Sequence, residues 1–186
     1  MSTTANPIPA TSTWSLDPSH SSVHFKVRHM MIANVRGQFH VVRGGLTIPA
    51  DDLTRASIVA EIDAASIATR DPQRDVHLKS PDFLDVEKFP LITFSSTKIE
   101  SDGGALVIEG ELTIHGVTRD VRLEVDSIPM PVQDPWGNLR LAGAATTKIH
   151  RKDFGLTWNA ALETGGVLVG DEVAIELDLE FVKQPS

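Results

Sequence analysis

The chain has 186 residues, 41% of them hydrophobic and 23% charged, with a formal net charge of −8 and a pI near 5.3. That balance suits one soluble domain with a sizeable core. With no basic stripe, it argues against nucleic acid as a partner and against simple electrostatic adsorption to anionic lipid. The absence of cysteine excludes disulfides and thiolate metal sites and fits a reducing compartment.

Residues 1–12 are rich in Pro, Ser, Thr and Ala and read as a disordered tail ahead of one domain over 13–184. They carry neither a basic n-region nor an apolar h-region. No apolar run approaches the roughly 20 residues needed to span a bilayer, so the expectation is a cytoplasmic chain without a transmembrane segment. A short strand from Trp14 ends at the turn signal Asp17-Pro18. The next strand is the clearest: Val23, Phe25, Val27 and His29 share one parity, and His24, Lys26 and Arg28 the other. Val35, Gly37, Phe39 and Val41 repeat the pattern with Arg36, Gln38 and His40 opposite. The pair Gly44-Gly45 predicts a bend before Leu46 and Ile48. Ala56, Ile58, Ala60 and Ile62 form a third apolar face.

Residues 64–90 break this rhythm. Asp71-Pro72 supplies an N-cap and a first-turn proline, and Ser80-Pro81 a stop, so a helix is predicted between them. The whole stretch reads as a helical insertion covering an end of whatever the strands enclose. Strands resume at Leu91, with Ile92 and Phe94 on one face. Asp102-Gly103-Gly104 and His115-Gly116 are tight turns flanking Leu106, Ile108, Gly110, Leu112 and Ile114. Val121, Leu123 and Val125 follow, then the small-residue strand Leu139 to His150, an irregular connection over 152–171, and a last strand through Val173, Ile175, Leu177, Leu179 and Phe181. With the early region counted as one bent strand, the prediction is all-β: an eight-stranded antiparallel lipocalin-like barrel with one helical insertion.

Motifs for chemistry are sparse. There is no HExxH, no GxSxG and no glycine-rich loop in phosphate-binding context, so no metal site or cofactor is expected. His24 and His40 sit on wet faces. His29 shares the apolar parity, and two readings stand: a structural imidazole bonded to a loop carbonyl, or a polar group near the mouth of a cavity. The polar run Arg74 to Ser80 is either a solvated helix face or an anchor of the insertion on the barrel rim, with Arg151 to Gly155 as its opposite half. The inward-facing small residues Gly37, Ala60, Gly110, Gly143 and Ala145 leave volume that neighbouring side chains either fill or leave open.

The order and spacing of several segments are specific together. Asp17-Pro18-Ser19-His20-Ser21, Val23 to His29 and Gly37-Gln38-Phe39 open the series. Arg74 to Leu78, Asp82-Phe83-Leu84 and Phe89 to Phe94 continue it. Gly110 to Thr118 and Arg151 to Leu156 close it. Over residues 14–183 the chain resembles the YceI-like polyisoprenoid-binding family. The resemblance implies a lipocalin-like barrel with a long apolar cavity, an isoprenoid or isoprenoid-quinone-type lipid as ligand, and a homodimer. It implies no catalytic residues.

On this reading the protein sequesters or carries a long apolar lipid and is not an enzyme. Phe25, Val27, Phe39, Ile58, Phe94, Ile108, Leu112, Ile175 and Leu177, with the small residues Gly37, Ala60, Gly110, Gly143 and Ala145, are the expected tail-binding wall. His29 is placed near a headgroup, and Arg74, Asp75, His77, Leu78, Phe83 and Arg151 in the lid or its anchor. The alternative is an enzyme acting on a quinone or lipid-like substrate with His29 or His77 as acid/base.

Overall fold

The computed structural model describes residues 11–40, 42–126 and 130–185. The apolar alternation produces three broken staves and five continuous ones. β1 (Thr11–Leu16) and β2 (Ser22–His29) run in line along one edge of the last strand, with Trp14 opposite Lys183 and Val27 opposite Val173. β3 (Ala33–Phe39) pairs with β2, and its continuation β4 (Val42–Pro49) pairs with β1. β5 (Ser57–Asp63) pairs with β4, and its continuation β6 (Ile67–Ala68) reaches β3. β7 (Leu91–Asp102), β8 (Ala105–Ile114), β9 (Val117–Val125), β11 (Leu139–His150) and β12 (Val169–Lys183) complete an eight-stave, antiparallel, up-and-down barrel that closes where β12 meets β1 and β2. β10 (Val132–Gln133) adds a short pairing to the start of β11.

Closure gives eight one-faced strands a shared interior and removes their edges. One seam is thin. β9 and β11 share only the pairs Val125–Ala145 and Glu124–Thr146, beside a bond from the Asp126 N–H to the Ala144 carbonyl. The turn Arg151–Phe154, with Phe154 1% exposed, packs against β9 below that point.

The structure departs from the sequence pattern at three places. β1 opens at Thr11, two residues inside the stretch read as tail; residues 1–10 lie outside the described residues. The bend expected at Gly44-Gly45 comes earlier, because Phe39 and Val42 both point inward although they are three apart; Val41 lies outside the described residues. Gly44 permits a close approach instead, since a Cβ there would lie 2.2 Å from the Val59 carbonyl oxygen. β12 begins at Val169, earlier than expected, with its register against β2 irregular until Val173.

Residues 64–90 separate β5 from β7. Their one helix, α1 (Pro72–Lys79), starts as its sequence signals require: the Asp71 carboxylate accepts from the Gln73 and Arg74 N–H groups, and Pro72 occupies the first turn. Eight residues with none buried cannot hold a helix by themselves. Polar bonds to Thr69, itself 3% exposed, fasten its base. Asp75 Oδ1 accepts from the Thr69 N–H at 2.9 Å and from its hydroxyl at 2.6 Å. Arg74 donates to the same hydroxyl at 2.7 Å and to the Thr69 carbonyl at 2.8 Å. Thr69 follows β6, so the clamp ties the helix to the sheet.

Candidate binding cavity

The inward faces do not meet at the barrel axis. They enclose a cavity of about 280 Å³ that runs from Leu53 and Ala56 near one end to Leu78, Phe83 and Leu84 of the insertion at the other. On the same measure a water needs about 10–15 Å³, so the space is far beyond a packing defect. It also explains an otherwise odd burial pattern. Phe25, Val27, Ile58, Ile62, Phe94, Ile175 and Leu177 point inward yet are only half-buried, because their free surface faces the void. Ile58, Phe94 and Leu177 bridge two buried clusters, one around Val42, Leu46 and Phe154, the other around Ile99, Ile108 and Leu123.

Among the described residues the wall is apolar save for Thr147 and Arg151. Arg151 is 4% exposed, and all five of its N–H donors are used. Nε donates to the Gly170 carbonyl at 2.9 Å, and Nη1 to the Leu156 and Trp158 carbonyls at 2.6 and 2.9 Å. Nη2 donates to the Val169 carbonyl at 3.4 Å and to Asp171 Oδ1 at 3.3 Å. Burial lowers the guanidinium's pKa and the Asp171 charge opposes that shift. No donor is left for a guest. Arg151 therefore organises the 155–170 connection rather than gripping the insertion, which corrects its placement as the opposite half of the anchor. Among the described residues it reaches the insertion through Trp158, whose carbonyl it bonds.

Trp158 makes the latch between the two segments. Its ring lies 4.7 Å from the His77 ring in edge contact and 5.2 Å from the Phe83 ring. His77 and Phe83 are 5.1 Å apart, and His77 Nε2 sits 2.8 Å from Asp82 Oδ2. Trp158 and Thr69 have no strand parity, so periodicity does not single them out. The one available signal is that a large aromatic in an irregular segment needs a partner. Asn159 seats the connection by bonding both backbone groups of Val169.

The cavity wall includes Phe25, Val27, Phe39, Ile58, Ala60 and Phe94, then Ile108, Leu112, Gly143, Ala145, Ile175 and Leu177, with Leu78, Phe83 and Arg151 at the insertion end. Two expected members, Gly37 and Gly110, and the expected headgroup residue His29 are not part of it. Gly37 faces a filled position: a Cβ there would lie 2.3 Å from Phe25 Cζ and 2.9 Å from Thr69 Cγ2. Gly110 is covered likewise, its Cβ position 2.5 Å from Phe94 Cζ and 2.6 Å from the Ser95 carbonyl oxygen. These glycines leave room for aromatic rings and not for a guest. Gly143 differs, because no atom lies within 4 Å of its Cβ position. The third is His29, the last residue of β2. It stands on the rim opposite Ala33 and Val169, half-buried, with no side-chain hydrogen bond among the described residues. Arg74, Asp75 and His77 lie outside the wall, in the clamp and the latch.

Residues 14–181 match the family model for a YceI-like domain. The chain belongs to the YceI-like family. A UPF0312 protein of Staphylococcus aureus is 32% identical over 169 residues, which cover 90% of this chain and 96% of that protein. Among solved structures, Burkholderia cenocepacia BcnA superposes with a TM-score of 0.74 at 23% identity, over 89% of this chain and 98% of the other. A polyisoprenoid binding domain from Saccharophagus degradans, implicated in plant cell wall breakdown, superposes with a TM-score of 0.64 at 17% identity, over 92% and 98%. At those identities the likeness is one of fold. Among the described residues, no helix is long and apolar enough to cross a membrane.

Among the described residues one cluster has metal-ligand chemistry: Asp17, His20 and Glu180 bring ligand atoms within 4.8 Å of one another. A cation already sits among them. Arg140 Nη1 bonds Asp17 and Glu180, while its Nε bonds Asp134 at 2.8 Å. Hydrogen bonds from Ser19, Arg140 and His20 hold the Asp17 carboxyl well below the usual carboxylate range, and those from Arg140 and Asn138 do the same for Asp134.

Proposed function

We propose that this YceI-like barrel binds one long apolar chain of the isoprenoid class inside its cavity and carries it away from water. The observation that carries this reading is the wall itself: about 280 Å³ enclosed by aliphatic and phenyl groups, with the Arg151 donors all satisfied. An apolar void costs about 24 cal/mol per Å³, so this one costs about 7 kcal/mol when empty. That is comparable with the net stability of a whole domain, about 5–15 kcal/mol. A guest that fills it recovers those contacts, and each methylene it removes from water adds about 0.8 kcal/mol gross. Branched methyls repeating along a chain suit a tunnel lined by Ile, Leu and Val, and the name of the Saccharophagus degradans domain points to the same ligand class. The lid is the insertion, latched by Trp158. Binding rather than catalysis is favoured because neither His29 nor His77 lines the cavity, so neither faces a group held there.

Native mass spectrometry of protein purified without detergent, followed by solvent extraction, should reveal a bound lipid. A length series of prenols and isoprenoid quinones, scored for binding and for chemical change, should show affinity rising with chain length to a plateau. Length-independent binding, or product formation, would overturn this reading.

A further inference from the structure

The rim around His29 carries a feature that the cavity does not account for. β2 and β3 are joined by Met30, Met31 and Ile32, and all three side chains face solvent, at 42%, 55% and 78% exposure. Val167, 37% exposed, belongs to the neighbouring connection; a Cβ on Gly166 would touch Met31 Cγ at 3.3 Å, and the Met30 N–H bonds the Leu168 carbonyl. Met30 and Met31 hold φ values of 50° and 64°, a region that asparagine or glycine occupies more readily than methionine. The knuckle is continuous with the cavity. Val27, three residues before Met30, and Val169, two after Val167, both line the void.

Behind the knuckle, the outer face of the hairpin is basic. Lys26 stands directly opposite Arg36, a cross-strand pair of like charge that disfavours the sheet, and Arg28 is opposite Asn34 in the row nearer the tip. Arg28 donates to the Met31 carbonyl at 3.2 Å, and none of the three cations is in an ion pair among the described residues. On this face of β12, Glu176 and Asp178 are opposite His24 and Ser22, farther from the tip, while Glu172, nearer the tip, is paired with Lys148 at 3.0 Å. On the connection, Glu163 is exposed, while Asp171 is held by Lys152 and Arg151.

We propose that the Met30–Ile32 knuckle docks the barrel on an anionic lipid bilayer, with Lys26, Arg28 and Arg36 at headgroup level. This rests on the reading that the cavity carries lipid, since the docked rim is where a chain would pass between bilayer and barrel. Although the chain's net charge is −8, three cations, Lys26, Arg28 and Arg36, gather on this hairpin. An apolar tip with a cationic collar is the arrangement an anionic interface selects.

The test is flotation with vesicles of phosphatidylcholine, with and without phosphatidylglycerol. The protein should float with the anionic vesicles and release as salt rises. Ile32→Glu should weaken the association at least tenfold, and Arg28→Gln or Arg36→Gln about fivefold each. Met31→Asn, which suits the backbone, guards against misfolding and should weaken it too. Because the chain has no cysteine, Ile32→Cys and Val132→Cys each accept one polarity-sensitive dye. The dye at 32 should shift to the blue on vesicles; the dye at 132, at the far end, should not. No flotation, flotation indifferent to Ile32→Glu, or a shift at 132 alone overturns the proposal. So does a solution homodimer that Ile32→Glu splits with no loss of flotation. Prenol binding measured without vesicles keeps the two readings apart. Intact prenol binding with no flotation sinks the docking surface alone, whereas flotation without prenol binding sinks the carrier reading and leaves the surface standing.

Discussion

Filling the cavity at Gly143 separates two quantities that usually move together. A Cβ at this β11 position, opposite Leu179, meets no atom within 4 Å. In Gly143→Phe the ring should enter the void. It takes up roughly 100 Å³, which at about 24 cal/mol per Å³ stabilises the empty protein by about 2 kcal/mol. For a domain of this length that raises the melting temperature by about 4–8 °C. The same ring displaces about seven ligand carbons, close to 6 kcal/mol gross. If a quarter to a half of that survives the costs of ordering the chain, affinity for a long prenol falls about ten- to a hundredfold. The length at which affinity stops rising should also shorten by one to two isoprene units. Thermal melting of the empty protein and calorimetric titration with a prenol series measure both. A higher melting temperature with unchanged affinity and plateau would show that the void is not where the chain binds. A lower one would show that position 143 does not face the void.

The covered glycines should behave in the opposite way. Gly110→Ala and Gly37→Ala should each destabilise by about 1–3 kcal/mol in urea unfolding, and Gly110→Ala more, because one of its obstacles is the Ser95 backbone carbonyl while Phe25 and Thr69 at Gly37 can turn aside. Trp158→Ala unlatches the insertion, and release of a fluorescent isoprenoid analogue to acceptor vesicles should quicken several-fold with little change in melting temperature. A large loss of stability at unchanged release would make Trp158 part of the core instead. For acid stability the sign is set by depressed carboxyls. Asp17 and Asp134 titrate lower folded than unfolded, so their stabilisation is full above the unfolded value near 3.9 and is lost as pH falls through the folded values. Arg140→Gln removes part of that depression, and the midpoint of acid unfolding, followed by circular dichroism, should move to higher pH.

Strand parity made most of the wall legible in advance, because a period of two assigns each side chain to a face without knowledge of its neighbours. It could not show which inward positions stay empty. Phe25 covers Gly37 because the two are register partners across β2 and β3, and Phe94 covers Gly110 by a diagonal reach across β7 and β8. Those facts depend on pairing, which periodicity does not encode. His29 has the right parity but ends its strand, so it sits on the rim, where facing inward no longer means facing the cavity. The clamp on Thr69 and the Trp158 latch join segments that lack any period. The basic collar is hidden for a different reason: Lys26 and Arg36 are opposite each other only once the hairpin is formed, and a net charge of −8 averages them away.

The thin seam between β9 and β11 has its own consequence. Below Val125–Ala145 and Glu124–Thr146 the two strands present backbone donors and acceptors that do not pair with each other. A closed barrel is protected from edge-to-edge association, and this stretch partly gives up that protection. Several exposed side chains along it are charged: Arg119, Asp120 and Arg122 on β9 and Lys148 on β11. An added strand from another copy would have to desolvate them. Their contribution therefore belongs to the crowded life of the chain rather than to its melting curve: neutralising them should leave thermal stability almost unchanged and show itself as aggregation at high protein concentration.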